Sequence, residues 1–331
     1  MTPPASPSAS APSQEVERFR SIFRRIHAGH PGCLADEWLE APCADAAGRP
    51  ADRPVVWSRR NGPWRRVDIL WVGAAPGNAG GRGAGDMGAH ATRIPFGGDV
   101  AGANLDALFG SIGLTRNDTF VVAALNQLPA AGGGEPTRAE LAAPVGGYPT
   151  SLHVLRDTLL AAGPRLVVAL GNVGLRTLIA AARLDGPAAW REGSPERATG
   201  TLRLPSLERL RRAGFARGEA VPWPGRELPS DDVRALWRAA WGDASLPRVL
   251  WLTHPSAQNM SPFAGTETAF HTRMVEARDA LARAVRATLA RELPRERPHW
   301  PEEGIYALAD WRQRVGPRHR RLDRLWREKG V

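Results

Sequence analysis

A short apolar run followed at once by a glycine-rich loop constrains the fold of this chain more than any other feature. The run covers residues 67–72, is broken only by Asp68, and is typical of a buried strand. Seven glycines follow within residues 73–88, and a helical pattern begins near Asp99, a plausible N-cap residue. This order is typical of a ligand site at the carboxyl end of a parallel strand. A surface loop without a ligand is the alternative.

Three more apolar runs alternate with helical patterns further along the chain. The runs cover residues 119–125, 164–170 and 248–252, and the spacing predicts helices over residues 101–112, 152–162, 173–182 and 266–293. Strands that alternate with helices in this way predict a parallel sheet with helices on both faces. We therefore expect an α/β fold, with a three-layer α/β/α core around a four-stranded parallel sheet.

The remaining segments frame this core. Residues 1–13 are mostly Pro, Ser and Ala and are expected to be disordered. Residues 14–66 are predicted to form an N-terminal helix and a loop-rich extension. The core domain is expected over residues 67–293, with an insertion at residues 185–245 that shows no clear strand. Residues 294–331 form a basic tail rich in Trp and Arg.

The charge of the chain points to a class of partner. The formal net charge is +10, and Lys329 is the only lysine, so the basic residues are almost all arginine. Because arginine offers a rigid fork for phosphate, nucleic acid is the leading partner class. The alternative is that the arginine content reflects the codon usage of a GC-rich genome and not a binding function.

Other sequence features limit the compartment and the cofactors. Two cysteines exclude a four-cysteine cluster built by this chain alone. No run approaches the length of a membrane helix, and no secretory signal is visible. We expect a cytoplasmic monomer with no metal site, no cofactor and no membrane contact.

A second stretch with unusual loop chemistry follows the last predicted strand. It contains His254, Pro255 and Ser256 and continues through Ala257 and Gln258 to Asn259. Two strands of one sheet that both end in such loops suggest a shared cleft.

These residues resemble the uracil-DNA glycosylase superfamily, most closely its family 4 and family 5 enzymes, which hold an iron–sulfur cluster. The likeness rests on the sequences GAAPG at residues 73–77, TRIPFGGD at 92–99, LG at 170–171 and HPSAQN at 254–259. It covers about residues 67–182 and 248–289 and leaves the insertion unmatched.

The resemblance implies a DNA-repair glycosylase that cleaves the N-glycosidic bond of uracil, or another deaminated base, flipped out of DNA. Phe96 would stack on the base, and His254 would donate a hydrogen bond to the negative charge on the leaving pyrimidine. We expect the two rings on opposite walls of one slot. The base-binding residues would be Gly73, Ala74, Phe96 and Asn126, and the DNA-binding residues Pro76, Gly77, Pro255, Ser256 and Asn259.

The sequence departs from the family at the residue that activates water. Family 4 carries a glutamate where this chain has Ala74. Family 5 uses an aspartate whose matching position here is His90, and Asp86 lies four residues earlier. Either His90 or Asp86 could polarise water, and either could be an ordinary loop residue.

Two further departures concern the base-reading asparagine and the iron–sulfur cluster. The asparagine position of the family matches Ala123, and Asn126 is the nearest substitute. Gln127 stands where a cluster cysteine belongs, so the cluster is expected to be absent. The N-terminal helix or the insertion would then have to hold the segments that the cluster holds in the family.

Two other functions stay open. A non-catalytic relative that binds DNA would be consistent with Ala74 and Ala123. A nucleotide-binding α/β protein is disfavoured, because the glycine loop lacks a P-loop lysine and a Gly-x-Gly-x-x-Gly pattern in register after the strand.

Overall fold

The computed structural model describes residues 14–28, 55–77, 94–96, 100–129, 135–184, 204–223, 246–256 and 267–291, with residues 235, 238 and 293. The helices are α1 (Gln14–Ile26), α2 (Val100–Ser111), α3 (Arg138–Ala142), α4 (Ser151–Ala162), α5 (Gly171–Ala182), α6 (Leu207–Arg212) and α7 (Glu267–Leu289). The strands are β1 (Ile69–Gly73), β2 (Thr119–Ala123), β3 (Leu166–Leu170), β4 (Ala220–Pro222) and β5 (Arg248–Leu252). None of these helices is both long enough and apolar enough to cross a membrane.

The five strands form one sheet in the order β2-β1-β3-β5-β4. The first four strands are parallel, and β4 runs antiparallel to β5 at the edge. The α/β prediction is confirmed, but the four-stranded count and the absence of a strand in the insertion are wrong. Because β4 has only three residues and ends in Pro222, it carries no apolar alternation that the sequence could reveal.

Successive residues of each parallel strand face opposite sides of the sheet, as the pleat requires. Leu70 and Val72 of β1 belong to the core that α1, α4 and α5 cover. Ile69 and Trp71 belong to a second core under α2 and α7. Because both faces are covered, the strands are apolar throughout, and the predicted three layers are present.

The N-terminal helix and the insertion both contribute to the core. Phe19 of α1 is fully buried, with its ring centroid 6.4 Å from that of Trp64 and 5.5 Å from that of Phe120. Trp57 donates from Nε1 to the Thr158 hydroxyl at 3.1 Å. From the insertion, Trp223 is buried in the same cluster. These aromatic rings pack α1, the segment before β1 and the insertion against the sheet.

We predict that Phe19→Ala lowers the free energy of unfolding by about 3–5 kcal/mol, because it empties a ring-sized volume inside the aromatic cluster. Urea denaturation measures this loss. Ser21→Ala changes an exposed position of the same helix and should have little effect. A loss below about 1 kcal/mol for Phe19→Ala would show that α1 is not part of the cooperative core.

Candidate active site

The Phe96 ring and the His254 imidazole lie in contact at the carboxyl edge of the sheet. Their centroids are 5.6 Å apart, and their planes are inclined by 36°. Phe96 follows the glycine-rich loop after β1, and His254 follows β5, so two segments distant in sequence meet here. The strand between β1 and β5 is β3, which means that the two loops converge above its end.

Glycines at two strand ends make room for these rings. A Cβ atom on Gly73 would lie 2.9 Å from Cζ and 3.0 Å from Cε2 of Phe96, which is closer than such atoms approach. A Cβ atom on Gly171, which begins α5 with φ of +73°, would lie 3.2 Å from Cβ of His254. The absence of a side chain at Gly73 therefore lets the aromatic ring rest on the backbone of β1.

The contact corrects the expectation that the two rings form opposite walls of a slot. A centroid separation of 5.6 Å is that of two aromatic rings in contact, so no base fits between them. The rings are adjacent walls that meet at a corner. Phe96 is half-buried, so part of the residue is exposed to solvent.

Arg116 fixes the turn that carries Phe96. The backbone of Phe96 has φ of +55°, a conformation that L-residues rarely adopt. Arg116 donates from Nη2 to the Phe96 carbonyl at 3.1 Å and from Nη1 to the Pro95 carbonyl. Its Nε donates to Oδ1 of Asp106 at 2.8 Å, and only 10% of the Arg116 side chain and 5% of the Asp106 side chain are exposed. This buried ion pair holds the strained turn in place.

The loop after β5 favours one tautomer of the neutral His254 ring. The backbone N–H of Ser256 donates to Nδ1 of His254 at 3.2 Å. Because Nδ1 accepts a hydrogen bond, the neutral ring carries its proton on Nε2, which makes Nε2–H a hydrogen-bond donor. Asn104 of α2 is fully buried and donates from Nδ2 to the Pro255 carbonyl at 2.7 Å. The helix that follows the Phe96 loop thus also holds the His254 loop.

Asn126 provides a buried donor beyond the end of β2. Only 1% of this residue is exposed, and its Nδ2 has no hydrogen-bond partner within the described part of the chain. The preceding residue, Leu125, donates from its backbone N–H to the Ala74 carbonyl at 3.0 Å, which keeps this segment beside the end of β1. A buried amide donor without a hydrogen-bond partner lowers the stability of the fold by about 1–3 kcal/mol. A ligand that accepts a hydrogen bond from Nδ2 would offset this loss.

The structure brings together part of the set of residues that the sequence suggested. Gly73, Phe96, His254, Pro255 and Ser256 form the corner described above. Ala74, Pro76 and Gly77 continue from β1 at the same edge and range from half-buried to exposed. Three predicted residues, His90, Asp86 and Asn259, lie outside the described residues, as does Asp99.

The residues that position the two rings could not be recognised from the sequence. Arg116, Asp106 and Asn104 belong to no motif, and the only signal they gave was that the helical pattern of α2 puts Asn104 and Asp106 among apolar residues. Over the ranges that the structure describes, no group of three His, Cys, Asp or Glu side chains could hold a metal ion.

We predict that Arg116→Leu destabilises the protein by about 3–5 kcal/mol, because it removes the ion-pair partner of the buried Asp106 carboxylate. The double substitution Arg116→Leu with Asp106→Leu should recover much of this loss. Chemical denaturation of the two single variants and the double variant gives the coupling energy. Additive losses would show that the two side chains do not form the ion pair described here.

Comparison with known proteins identifies the family of the chain. No curated protein matches the chain. The sequence model of the Uracil DNA glycosylase superfamily matches residues 61–282. The matched region begins just before β1, includes all five strands and ends within α7, so it contains the whole sheet and both loops of the corner. This protein belongs to the uracil DNA glycosylase superfamily.

Proposed function

We propose that this protein is a DNA glycosylase that hydrolyses the N-glycosidic bond of uracil, or of another deaminated base, flipped out of DNA. The observation that carries the proposal is the contact of Phe96 with His254 at the carboxyl edge, in a chain of the uracil DNA glycosylase superfamily. An aromatic face beside a hydrogen-bond donor suits a planar base with polar edges.

Base recognition would use stacking and one buried amide. The flipped pyrimidine would stack on the accessible part of the Phe96 ring, which the Arg116 turn holds in place. Asn126 would donate from Nδ2 to a carbonyl oxygen of the base, giving this atom a partner that no described residue provides. Because uracil and thymine present the same carbonyls, the shape of the corner would have to exclude the thymine methyl group.

Bond cleavage would depend on electrostatic stabilisation by His254. Departure of the base leaves an oxocarbenium-like sugar and a pyrimidine anion. The Nε2–H group of His254 would donate to the pyrimidine oxygen on which negative charge develops. The hydrogen bond from Ser256 keeps Nε2 as the donor before the reaction begins, so no reorganisation is needed at that moment.

Water would be polarised by a side chain from residues 78–93. The resemblance assigns this role to His90 or Asp86, and a reaction with a dissociative transition state needs only weak assistance to its nucleophile. Pro76, Gly77, Pro255, Ser256 and Asn259 would contact the DNA around the flipped nucleotide. The net charge of +10 favours association with the phosphate backbone.

A non-catalytic member of the superfamily that binds DNA is the second candidate. It is favoured by Ala74, which has no proton chemistry at the position where family 4 enzymes carry their glutamate. The two candidates differ in one outcome, which is whether the wild-type protein releases base from DNA.

We predict that the wild-type protein excises uracil from an oligonucleotide and that His254→Ala lowers the single-turnover rate by about 10²–10³-fold. The loss arises because the donor to the leaving base is removed, while binding of DNA should change little. His153→Gln, a substitution of a histidine on α4, is the matched control and should retain the rate.

Two results would contradict this prediction. Full activity of His254→Ala would remove the imidazole from the mechanism. Salt-dependent DNA binding by a wild-type protein that releases no base would support the non-catalytic candidate instead.

We predict that Asn126→Leu has opposite effects on stability and activity. Removal of a buried donor that lacks a partner should raise the free energy of unfolding by up to about 1 kcal/mol. Loss of the contact to the base should lower excision by about tenfold or more. Urea denaturation and single-turnover excision measure the two effects, and a variant that is both less stable and fully active would show a purely structural role.

A further inference from the structure

The insertion brings an arginine to the edge of the sheet that carries His254. The turn before β4 contains Arg217 and Gly218, and the backbone N–H of Gly218 donates to the Trp251 carbonyl at 2.9 Å. Gly218 has φ of +79°, and a Cβ atom there would lie 3.5 Å from Cβ of Ala280 on α7. The turn therefore contacts both β5 and α7. Its partner in β5, Trp251, precedes His254 by three residues.

Two contacts hold the Arg217 side chain beside the ends of β3 and β5. Its guanidinium carbon lies 4.9 Å from the centroid of the Trp251 ring, and its Nη2 donates to Oδ1 of Asn172 at 2.9 Å. Asn172 follows Gly171, the residue against which His254 packs. Trp251 itself donates from Nε1 to the Gly171 carbonyl at 3.2 Å. The guanidinium thus lies on the same edge as the imidazole.

The Arg217 residue is exposed, so its guanidinium is accessible to a ligand. Within the described ranges no Asp or Glu forms an ion pair with Arg217, whose polar contact is the neutral amide of Asn172. Partial burial lowers the pKa of Arg217, and the positive charges of Arg211 on α6 and Arg273 on α7 lower it further.

We propose that Arg217 binds a backbone phosphate of the DNA whose flipped base enters the Phe96–His254 corner. The proposal rests on the proposed glycosylase function. The planar guanidinium suits a phosphate, and its anchoring to Trp251 and Asn172 reduces the entropy lost on binding. The insertion would then add a phosphate contact to the DNA-binding surface at this edge of the sheet.

The experiment removes the charge of Arg217 in one variant and keeps it in another. Arg217→Gln replaces the guanidinium with a shorter neutral amide that does not reach Asn172, whereas Arg217→Lys keeps a positive charge. The dissociation constant for a uracil-containing duplex is measured by fluorescence anisotropy over a series of NaCl concentrations. Arg165→Gln is the control, because it removes the same charge from the opposite edge, where Arg165 precedes β3 and donates to the Thr288 carbonyl.

We expect Arg217→Gln to reduce the slope of log affinity against log salt by about 0.9, the value for one phosphate contact. Affinity near 0.1 M salt should fall about tenfold, since a hydrogen bond to a charged group is worth about that factor. The single-turnover rate at saturating protein should stay within about twofold of wild type, because the cleaved bond is not touched. Arg165→Gln should leave the slope unchanged, and Arg217→Lys should restore most of it.

The result that overturns the phosphate site is an Arg217→Gln slope equal to that of Arg165→Gln, in a folded variant that still cleaves uracil. If Arg217→Gln fails to fold, the Arg217→Lys variant decides, because a lysine with the wild-type slope supports the site and one with a reduced slope overturns it. Failure of the proposed function has a different signature, since the wild-type protein would then release no base from the duplex, whatever the salt dependence of its binding.

Discussion

The close approach of the Phe96 ring to the backbone of Gly73 is the contact on which the rest of the site depends. At 2.9 Å from the position of a Cβ atom, the ring would have to shift if the end of β1 carried any side chain. Gly171, directly after β3, is less tightly packed, because a Cβ atom there would lie 3.2 Å from Cβ of His254. Because β3 lies between β1 and β5, the loops after the outer two strands meet over strand ends that carry small residues.

A layer of buried polar side chains behind the rings turns this contact into a fixed geometry. Arg116 and Asp106 hold a backbone turn in a conformation that is unfavourable for phenylalanine, and Asn104 ties the adjoining helix to the His254 loop. Asn126, beyond β2, keeps a donor that no residue in the described part of the chain satisfies. Strain and unmet hydrogen bonds of this kind are costs to folding, and they occur at functional sites when the surrounding core can sustain them. The aromatic cluster of α1 and the sheet supplies that core.

The parallel strands and the major helices could be predicted from the sequence because each is encoded locally. Apolar runs such as residues 248–252 coincide with a strand, and the pattern of α1 coincides with a helix. The edge strand β4 escaped prediction because three residues ending in proline show no period. Trp57, Trp64 and Trp223 escaped as core residues because they lie in segments whose burial depends on distant partners.

The candidate site was predictable in its two rings but not in their arrangement. The carboxyl ends of β1 and β5 place Phe96 and His254 at one edge of the sheet. The path of the loops then decides whether the two rings form opposite walls of a slot or lie in contact. That path is set by Arg116, which lies twenty residues beyond Phe96 and bonds to its carbonyl. Such an interaction between separate segments leaves no periodic trace in the sequence.

Nuclear magnetic resonance of the protein with the isolated base tests the central claim most directly, because it asks whether one small planar ligand lies at the corner of the two rings. With excess uracil, the account predicts transferred nuclear Overhauser effects from the uracil H5 and H6 protons to the ring protons of both Phe96 and His254. Effects to only one of these rings, or to residues at the opposite edge of the sheet, would contradict it.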